Sequence, residues 1–133
     1  RAAPGNQHIV PDLDALDALC RRIYKVSRRS ELAMFLEIGF PLFARARDGR
    51  IAAYLSPGIF GHGVAETEED AVALAMQAAR LLPEPTTVFC PVDEHPLFRA
   101  FLGAKFRTLK MMNLMTIGPY EVPERVWMPS ILY

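Results

Sequence analysis

The sequence has few cysteines, and this limits its chemistry. Among 133 residues there are only two, Cys20 and Cys90, with no CxxC motif and no paired histidine spacing. Two such thiols do not make a metal site, so we expect no bound metal. One lies on the apolar face of a predicted helix and the other in a predicted apolar strand. They are therefore expected to be buried and reduced, which favours a cytoplasmic compartment.

Long apolar runs and a net charge are also missing. No stretch approaches the roughly 20 apolar residues that a membrane-spanning helix needs. Fifteen basic and fifteen acidic residues leave a formal net charge of zero. This balance argues against nucleic acid or a membrane surface as the main partner. A chain of 133 residues, half of them apolar, is long enough to form one domain with a hydrophobic core.

The two ends of the chain differ from the domain between them, residues 11–117. Residues 1–10 contain Pro, Gly and Asn without periodicity, which predicts a linker. Because the chain begins with Arg1 rather than Met, we expect it to be the later part of a longer protein. Residues 118–133 hold three prolines and three large aromatic residues. They are predicted to form an irregular tail whose aromatic rings pack on the domain or on a neighbour.

The first half of the domain is predicted to contain two helices and a hairpin. Apolar side chains recur at helical spacing over residues 11–26 and again over 27–38, and Gly39 suits a left-handed helix end. Two strands follow. The dipeptide Asp48-Gly49 between them is typical of a tight hairpin turn, because both residues tolerate positive φ.

Residues 59–82, IFGHGVAETEEDAVALAMQAARLL, are where we expect function to be decided. They are interpreted as a short buried strand, residues 59–64, that leads into a long Ala-rich helix. Ligands of α/β proteins bind where a strand ends and a helix begins. Thr67 and Asp70 form a capping box, and three acidic residues fill the first helical turn. These carboxylates oppose the binding of an anion at the helix N-terminus.

Two registers remain open for this stretch. If residues 51–56 are the strand that leads into the turn, the glycines of residues 58–63 form a phosphate-binding loop. If residues 59–64 are themselves the strand, no loop remains and Thr67 caps the helix directly. The capping box and the acidic turn favour the second register, so we expect weak or absent binding of a phosphate there.

The second half of the domain predicts two more strands around a short helix. Residues 86–92 are β-branched and apolar, which predicts a central, parallel strand. A helix is predicted from Pro96 to Gly103. In residues 106–117 apolar side chains alternate, which predicts a long final strand. The order of elements predicts an α/β (α+β) fold with a mixed, mostly antiparallel sheet and helices on both faces.

This order resembles the GNAT superfamily of acyl-CoA-dependent N-acyltransferases. GRIAAYL, residues 49–55, is similar to the family's strand after the hairpin turn, and HPLFRAFLGAKFRTLKMMNLM, residues 95–115, to its closing helix and strand. FGHGVAETEEDA, residues 60–71, and the tail resemble the degenerate second half of tandem GNAT acetyltransferases. The resemblance covers residues 12–117. It implies one GNAT-like domain, acetyl-CoA or another acyl-CoA as cofactor, an amine substrate, and a second GNAT domain or a homodimer partner.

The resemblance also implies which residues would hold the cofactor. In the family, backbone N–H groups of a glycine-rich turn at a helix N-terminus bind the CoA pyrophosphate. Unpaired N–H groups and the positive end of the helix dipole explain this preference. The corresponding cofactor-binding residues here are Gly61, Gly63, Val64 and Thr67.

Two histidines are the candidate catalytic bases. His62 lies in that turn, and His95 lies at the position after the predicted central strand where the family receives the acyl group. Each also fits a structural role, His62 as a buried hydrogen-bonded residue and His95 as a helix cap. The family's usual acid, a Tyr of the last helix, is replaced by Phe, so Tyr120 and Tyr133 of the tail are the substitutes.

Three functions remain open at this point. The chain is interpreted as an acetyltransferase domain that acylates an amine, with a weakened site for the CoA phosphates. Alternatively, it is a non-catalytic half that docks on a catalytic partner domain or shapes its substrate site. A third interpretation is a sensor of a small ligand.

Overall fold

The computed structural model describes residues 12–92 and 95–131, except for the side chain of His95. The predicted linker, residues 1–10, lies outside this part of the chain. The described residues form a mixed α and β domain with four helices and four strands. In chain order these are α1 (Leu13–Tyr24), α2 (Arg29–Ile38), β1 (Phe43–Arg47), β2 (Arg50–Leu55), β3 (Gly63–Ala65), α3 (Glu68–Leu81), α4 (His95–Gly103) and β4 (Val126–Met128).

The first two helices lie within the predicted ranges 11–26 and 27–38, and α2 ends at the predicted Gly39. The Asp12 carboxylate caps α1 by accepting from the N–H of Asp14 at 3.0 Å. Lys25 ends the helix in the left-handed region, with φ 67°, and Gly39 ends α2 in the same way, with φ 71°. Both predicted helices are confirmed.

The predicted hairpin is also confirmed. Asp48 and Gly49 have φ values of 52° and 75°, as a tight turn between antiparallel strands requires. β1 pairs with β2 in antiparallel register, with an irregularity between Arg45 and Ala46. Arg45 faces Ala53 and Ala46 faces Ile51, so β2 carries one extra residue at a bulge.

The sheet has the order β1-β2-β3-β4, and all of its described pairs are antiparallel. The predicted mixed sheet is therefore an antiparallel one over the described residues. β3 exists but begins at Gly63 instead of residue 59. The chain first turns after β2, where Gly58 has φ 101° and its carbonyl accepts from the N–H of Gly61 at 3.2 Å.

Three sequence predictions for the second half are wrong. Residues 86–92 and 106–117 form no strand, and the tail, expected to be irregular, supplies β4. The edge of β3 that a further strand would occupy is taken by β4. Residues 86–92 keep one backbone contact to the β2–β3 turn, in which the carbonyl of Thr87 accepts from the N–H of Gly58 at 2.8 Å.

Helices cover both faces of the sheet, as predicted. Successive residues of a strand point to opposite faces, so each strand contributes to two apolar clusters. The cluster under α1 and α2 includes Tyr54, Val64 and Trp127 from the sheet. The cluster under α3 and α4 is built on the sheet residues Ala53, Leu55, Ala65, Val126 and Met128. Trp127 of the tail thus packs on the domain, as the sequence indicated.

Candidate functional site

The turn before β3, where the sequence places the cofactor site, is closed tightly on itself. The N–H of Ser56 donates to the carbonyl of His62 at 2.9 Å across the turn. A Cβ atom on Gly61 would lie only 1.9 Å from the carbonyl oxygen of Ser56. The glycine at this position is therefore explained by the close approach of two backbone segments.

The backbone of β3 is used by the sheet. Gly63 and Val64 pair with β2 on one side and with β4 on the other. In an antiparallel sheet the N–H and C=O groups of a strand with two neighbours are directed into these ladders. A Cβ atom on Gly63 would also lie 2.8 Å from Cε of Met128 and 2.9 Å from the carbonyl oxygen of Tyr54. Packing within the sheet thus accounts for this glycine as well.

Thr67 caps α3 as the sequence predicts. Its hydroxyl oxygen accepts from the N–H of Asp70 at 3.2 Å, and its carbonyl accepts from the N–H of Ala71 at 3.2 Å. At the start of the helix this leaves the amides of Glu68 and Glu69, whose side chains are acidic. The cofactor-binding role of Gly61, Gly63, Val64 and Thr67 stays a prediction. In this structure each of these residues has a structural role, in the turn, in the sheet or at the start of α3.

The third acid of this turn is neutralised inside the protein. Asp70 is fully buried, and Nη2 of Arg47 donates to both of its carboxylate oxygens, at 2.7 and 2.9 Å. Arg45 adds an ion pair at 3.2 Å. Sequence analysis missed this contact, although the placement of the two arginines two residues apart on β1 puts them on one face of the sheet.

His62 lies inside the core and is part of a chain of polar contacts. Its Nε2 lies 2.7 Å from the hydroxyl of Tyr54, and its Nδ1 lies 3.1 Å from a carboxylate oxygen of Glu31 on α2. An ionised carboxylate only accepts hydrogen bonds, so Nδ1 carries the proton and Nε2 accepts from the Tyr54 hydroxyl. This tautomer is the one that a base with its carboxylate partner would have.

Arg28 completes this set, which we call the polar relay: Arg28, Glu31, His62 and Tyr54. Arg28 donates from Nε to Glu31 at 2.9 Å, and its guanidinium lies 5.1 Å from the ring centre of Tyr24. The rings of Tyr54 and His62 are fully buried, whereas the Glu31 side chain is 22% exposed. The relay therefore reaches solvent through its carboxylate.

Burial controls the protonation of the relay. It lowers the pKa of His62 below the usual 6.5, against the opposite effect of Glu31, so the ring is neutral at pH 7. Burial also raises the pKa of Tyr54 far above its usual range. For Glu31, burial acts to raise the pKa, but the hydrogen bond from His62 and the charge of Arg28 outweigh it and the pKa is lowered. A neutral His beside an ionised Glu is the resulting state.

The two candidate bases are not brought together. His62 contacts the rings of Tyr24 and Phe35, on the face covered by α1 and α2. α4 begins at His95 but packs against the opposite face through Leu97 and Phe101. The His95 side chain lies outside the described residues, as does Tyr133. The catalytic roles of the two histidines therefore stay predictions.

Neither cysteine provides a reactive thiol near neutral pH. Both thiols are free, with Cys20 buried and Cys90 half-buried. Burial raises the pKa of both, that of Cys90 to about 12, which keeps them protonated and unreactive near neutral pH. Over residues 12–92 and 96–131, no group of three or more His, Cys, Asp or Glu side chains is arranged to hold a metal ion.

Comparison of the chain with protein-family models, with curated proteins and with solved structures finds no match. Within the described ranges, no helix combines the length and apolar character that crossing a membrane would require.

Proposed function

We propose that this chain is a GNAT-like domain of a tandem acetyltransferase and that it serves acyl transfer as a docking or substrate-shaping half. It does not bind acyl-CoA in the family's usual manner. The observation that supports this is the state of the backbone between Gly61 and Thr67. The N–H of Gly61 closes a tight turn, and residues 63–65 pair with a strand on each side. The N–H of Glu66 donates to the carbonyl of Ala52, and the oxygens of Thr67 cap the start of α3.

Electrostatics support the same proposal. A pyrophosphate at the start of α3 would meet the exposed carboxylate of Glu69 and the half-exposed one of Glu68. Negative side chains at the N-terminal end of a helix offset the attraction that the helix dipole exerts on an anion. Because Asp70 is paired with Arg47, only the carboxylates of Glu68 and Glu69 oppose an anion here.

The docking surface in this proposal is residues 107–119, which we call the Met-rich segment. Its large apolar side chains are exposed, with Met115 at 88% and Ile117 at full exposure. No backbone hydrogen bond joins this segment to another part of the chain that the structure describes. Exposed apolar patches of this kind are typical of protein contact sites. The strand-like sequence with free backbone groups is typical of a segment that joins a sheet edge.

The positive charge in and next to the Met-rich segment indicates what kind of partner would bind there. Lys105, Arg107 and Lys110 lie in or next to the Met-rich segment, and residues 104–120 contain no acid. The proposed occupant is a second protein domain that presents a strand edge flanked by carboxylates. Main-chain hydrogen bonds would supply affinity and the alternating side chains specificity.

Hydrogen–deuterium exchange tests the docking role. We expect fast exchange of residues 107–119 in this chain alone and much slower exchange in the full-length gene product, because pairing with a second domain protects the amides. Equal, fast exchange in both samples would contradict docking through this segment. Slow exchange in this chain alone, together with a dimer by light scattering, would assign the surface to a second copy and also overturn the proposal.

Calorimetry with acetyl-CoA tests the missing cofactor site. We expect no saturable binding at the start of α3, and none in Glu69→Lys, which removes an exposed acid from this turn. Micromolar affinity that Glu69→Lys increases would show a working phosphate site and contradict a non-catalytic role.

The second candidate is an independently active acyltransferase. The observation that favours it is the orientation of His62, held by Glu31 in the tautomer of a general base. An assay of acetyl-CoA with a panel of amines tests this function, with His62→Gln as the variant. Turnover that falls about a hundredfold or more in His62→Gln would support it, because general-base catalysis contributes about that much. Absence of turnover in the unmodified chain would exclude it.

A further inference from the structure

A second feature of the molecule lies at the end of α1. A cleft of about 620 Å³ opens here between α1, the start of β2 and the residues before β4. Its floor includes the apolar side chains of Leu19 and Ile23. Its walls carry five cationic side chains: Arg21, Arg22, Lys25, Arg50 and Arg125. We call this site the basic cleft.

The positive charge of the basic cleft is only partly balanced. Glu66 and Glu124 line it, and Asp17, next to it on α1, pairs with Arg21 at 2.9 Å. Cations at the end of α1 are expected from the helix dipole. Arg50 and Arg125 come from other segments, so the dipole does not account for them.

One carboxylate holds two of the arginines in place. Glu66 accepts from Arg22 at 3.2 Å and forms a close ion pair with Arg50. A shared carboxylate limits the conformational freedom of both guanidinium groups, which lowers the entropy that a ligand must overcome. Arg125 is exposed and makes no ion pair with the other residues of the described ranges. It is the group most available to an incoming anion.

We propose that the basic cleft binds a small molecule with a compact group of about two negative charges, such as a terminal phosphate or a dicarboxylate. Five cations against Glu66, Glu124 and the Asp17 that pairs with Arg21 leave an excess of about that size. Guanidinium groups bind phosphates and carboxylates through paired hydrogen bonds. A cleft of 620 Å³ lies within the range of small-molecule sites, about 300–1,000 Å³.

Calorimetry with phosphate and with succinate tests this site and separates the two anion chemistries. We expect saturable binding of at least one anion, with an affinity that falls as sodium chloride is raised from about 50 to about 200 mM, because salt screens the contact. Arg125→Gln should weaken it about tenfold, as the loss of one charge-assisted contact predicts. Arg50→Gln provides a second variant from another segment.

The matched control is Arg99→Gln, an exposed arginine on α4, the helix that covers the other face of the sheet. It should leave the affinity unchanged, and melting curves of all variants should overlay. No saturation by either anion, or equal weakening by Arg99→Gln and Arg125→Gln, would overturn the proposal. Acetyl-CoA binding that Arg125→Gln abolishes would belong to the basic cleft, whereas binding that it leaves intact would contradict the proposed function instead.

Discussion

Two stretches of this molecule are both rich in apolar residues, but one is mostly buried and the other is exposed. In residues 50–65, the strands β2 and β3 are apolar and buried apart from Arg50, with backbone partners on both sides of β3. The Met-rich segment, residues 107–119, is also apolar and strand-like, yet its side chains are exposed. Apolar character predicts a tendency to pair, but a strand forms only where a neighbour offers its edge. The difference between the two stretches lies in their partners.

The largest expected effect comes from widening the tight turn of the buried stretch. Gly61→Ala places a methyl group against the carbonyl of Ser56, so one backbone segment must move. We expect a loss of about 3 kcal/mol or more in the free energy of unfolding, measured in urea. Gly103→Ala is the matched control, because no atom lies within 4 Å of the added Cβ and the position has no positive φ. Equal stability of the two variants would contradict the close contact.

A matched pair of leucines compares the two stretches directly. Leu55 is 1% exposed and Leu114 is 55% exposed. We expect Leu55→Ala to lower the free energy of unfolding by about 2–5 kcal/mol, because it leaves a cavity in the core. Leu114→Ala should change it by less than about 0.5 kcal/mol. A similar large cost in both variants would mean that the Met-rich segment packs on its own domain.

The polar relay makes the buried stretch sensitive to pH. Its burial lowers the pKa of His62, so below the usual 6.5 the unfolded chain binds more protons than the folded one. The free energy of unfolding is therefore not reduced by His62 above about pH 6.5. It decreases as the pH falls from there towards the lowered pKa of His62 in the folded state. Urea unfolding at intervals between pH 7.5 and 5 checks this. The slope should be smaller in His62→Gln, and an unchanged slope would assign it to other groups.

The smallest expected effect on stability belongs to the Met-rich segment. Ile117→Lys alters a fully exposed side chain and should change the free energy of unfolding by less than about 0.5 kcal/mol. With the proposed partner domain present, the same variant should speed amide exchange over residues 107–119, because a lysine opposes the proposed docking of an apolar surface. Amide protection equal to that of the unmodified protein would show that the Ile117 side chain is not part of the interface.

Part of the candidate site could be predicted from the sequence. The capping role of Thr67 followed from the spacing of an acceptor and an acid, whereas residues 59–62, predicted as part of a strand, form the turn before β3. The partners of these residues were not predictable. Glu31 lies 31 residues before His62, and Arg47 lies 23 residues before Asp70. Contacts across such separations depend on how α2 and β1 lie against the sheet, and no local pattern encodes them.

The sequence by itself determined the local structure of this protein. Helices α1, α2 and α3, their ends, the Asp48-Gly49 hairpin and the short α4 follow from periodicity, capping and turn residues, which act over a few positions. The tertiary structure decided which apolar stretches become strands, because β4 takes the edge of β3 and leaves the Met-rich segment without a partner. It also decided that His62 is buried and that cations from three segments meet at the basic cleft. Burial and charge clustering are sums over distant residues, and only the folded chain brings these residues together.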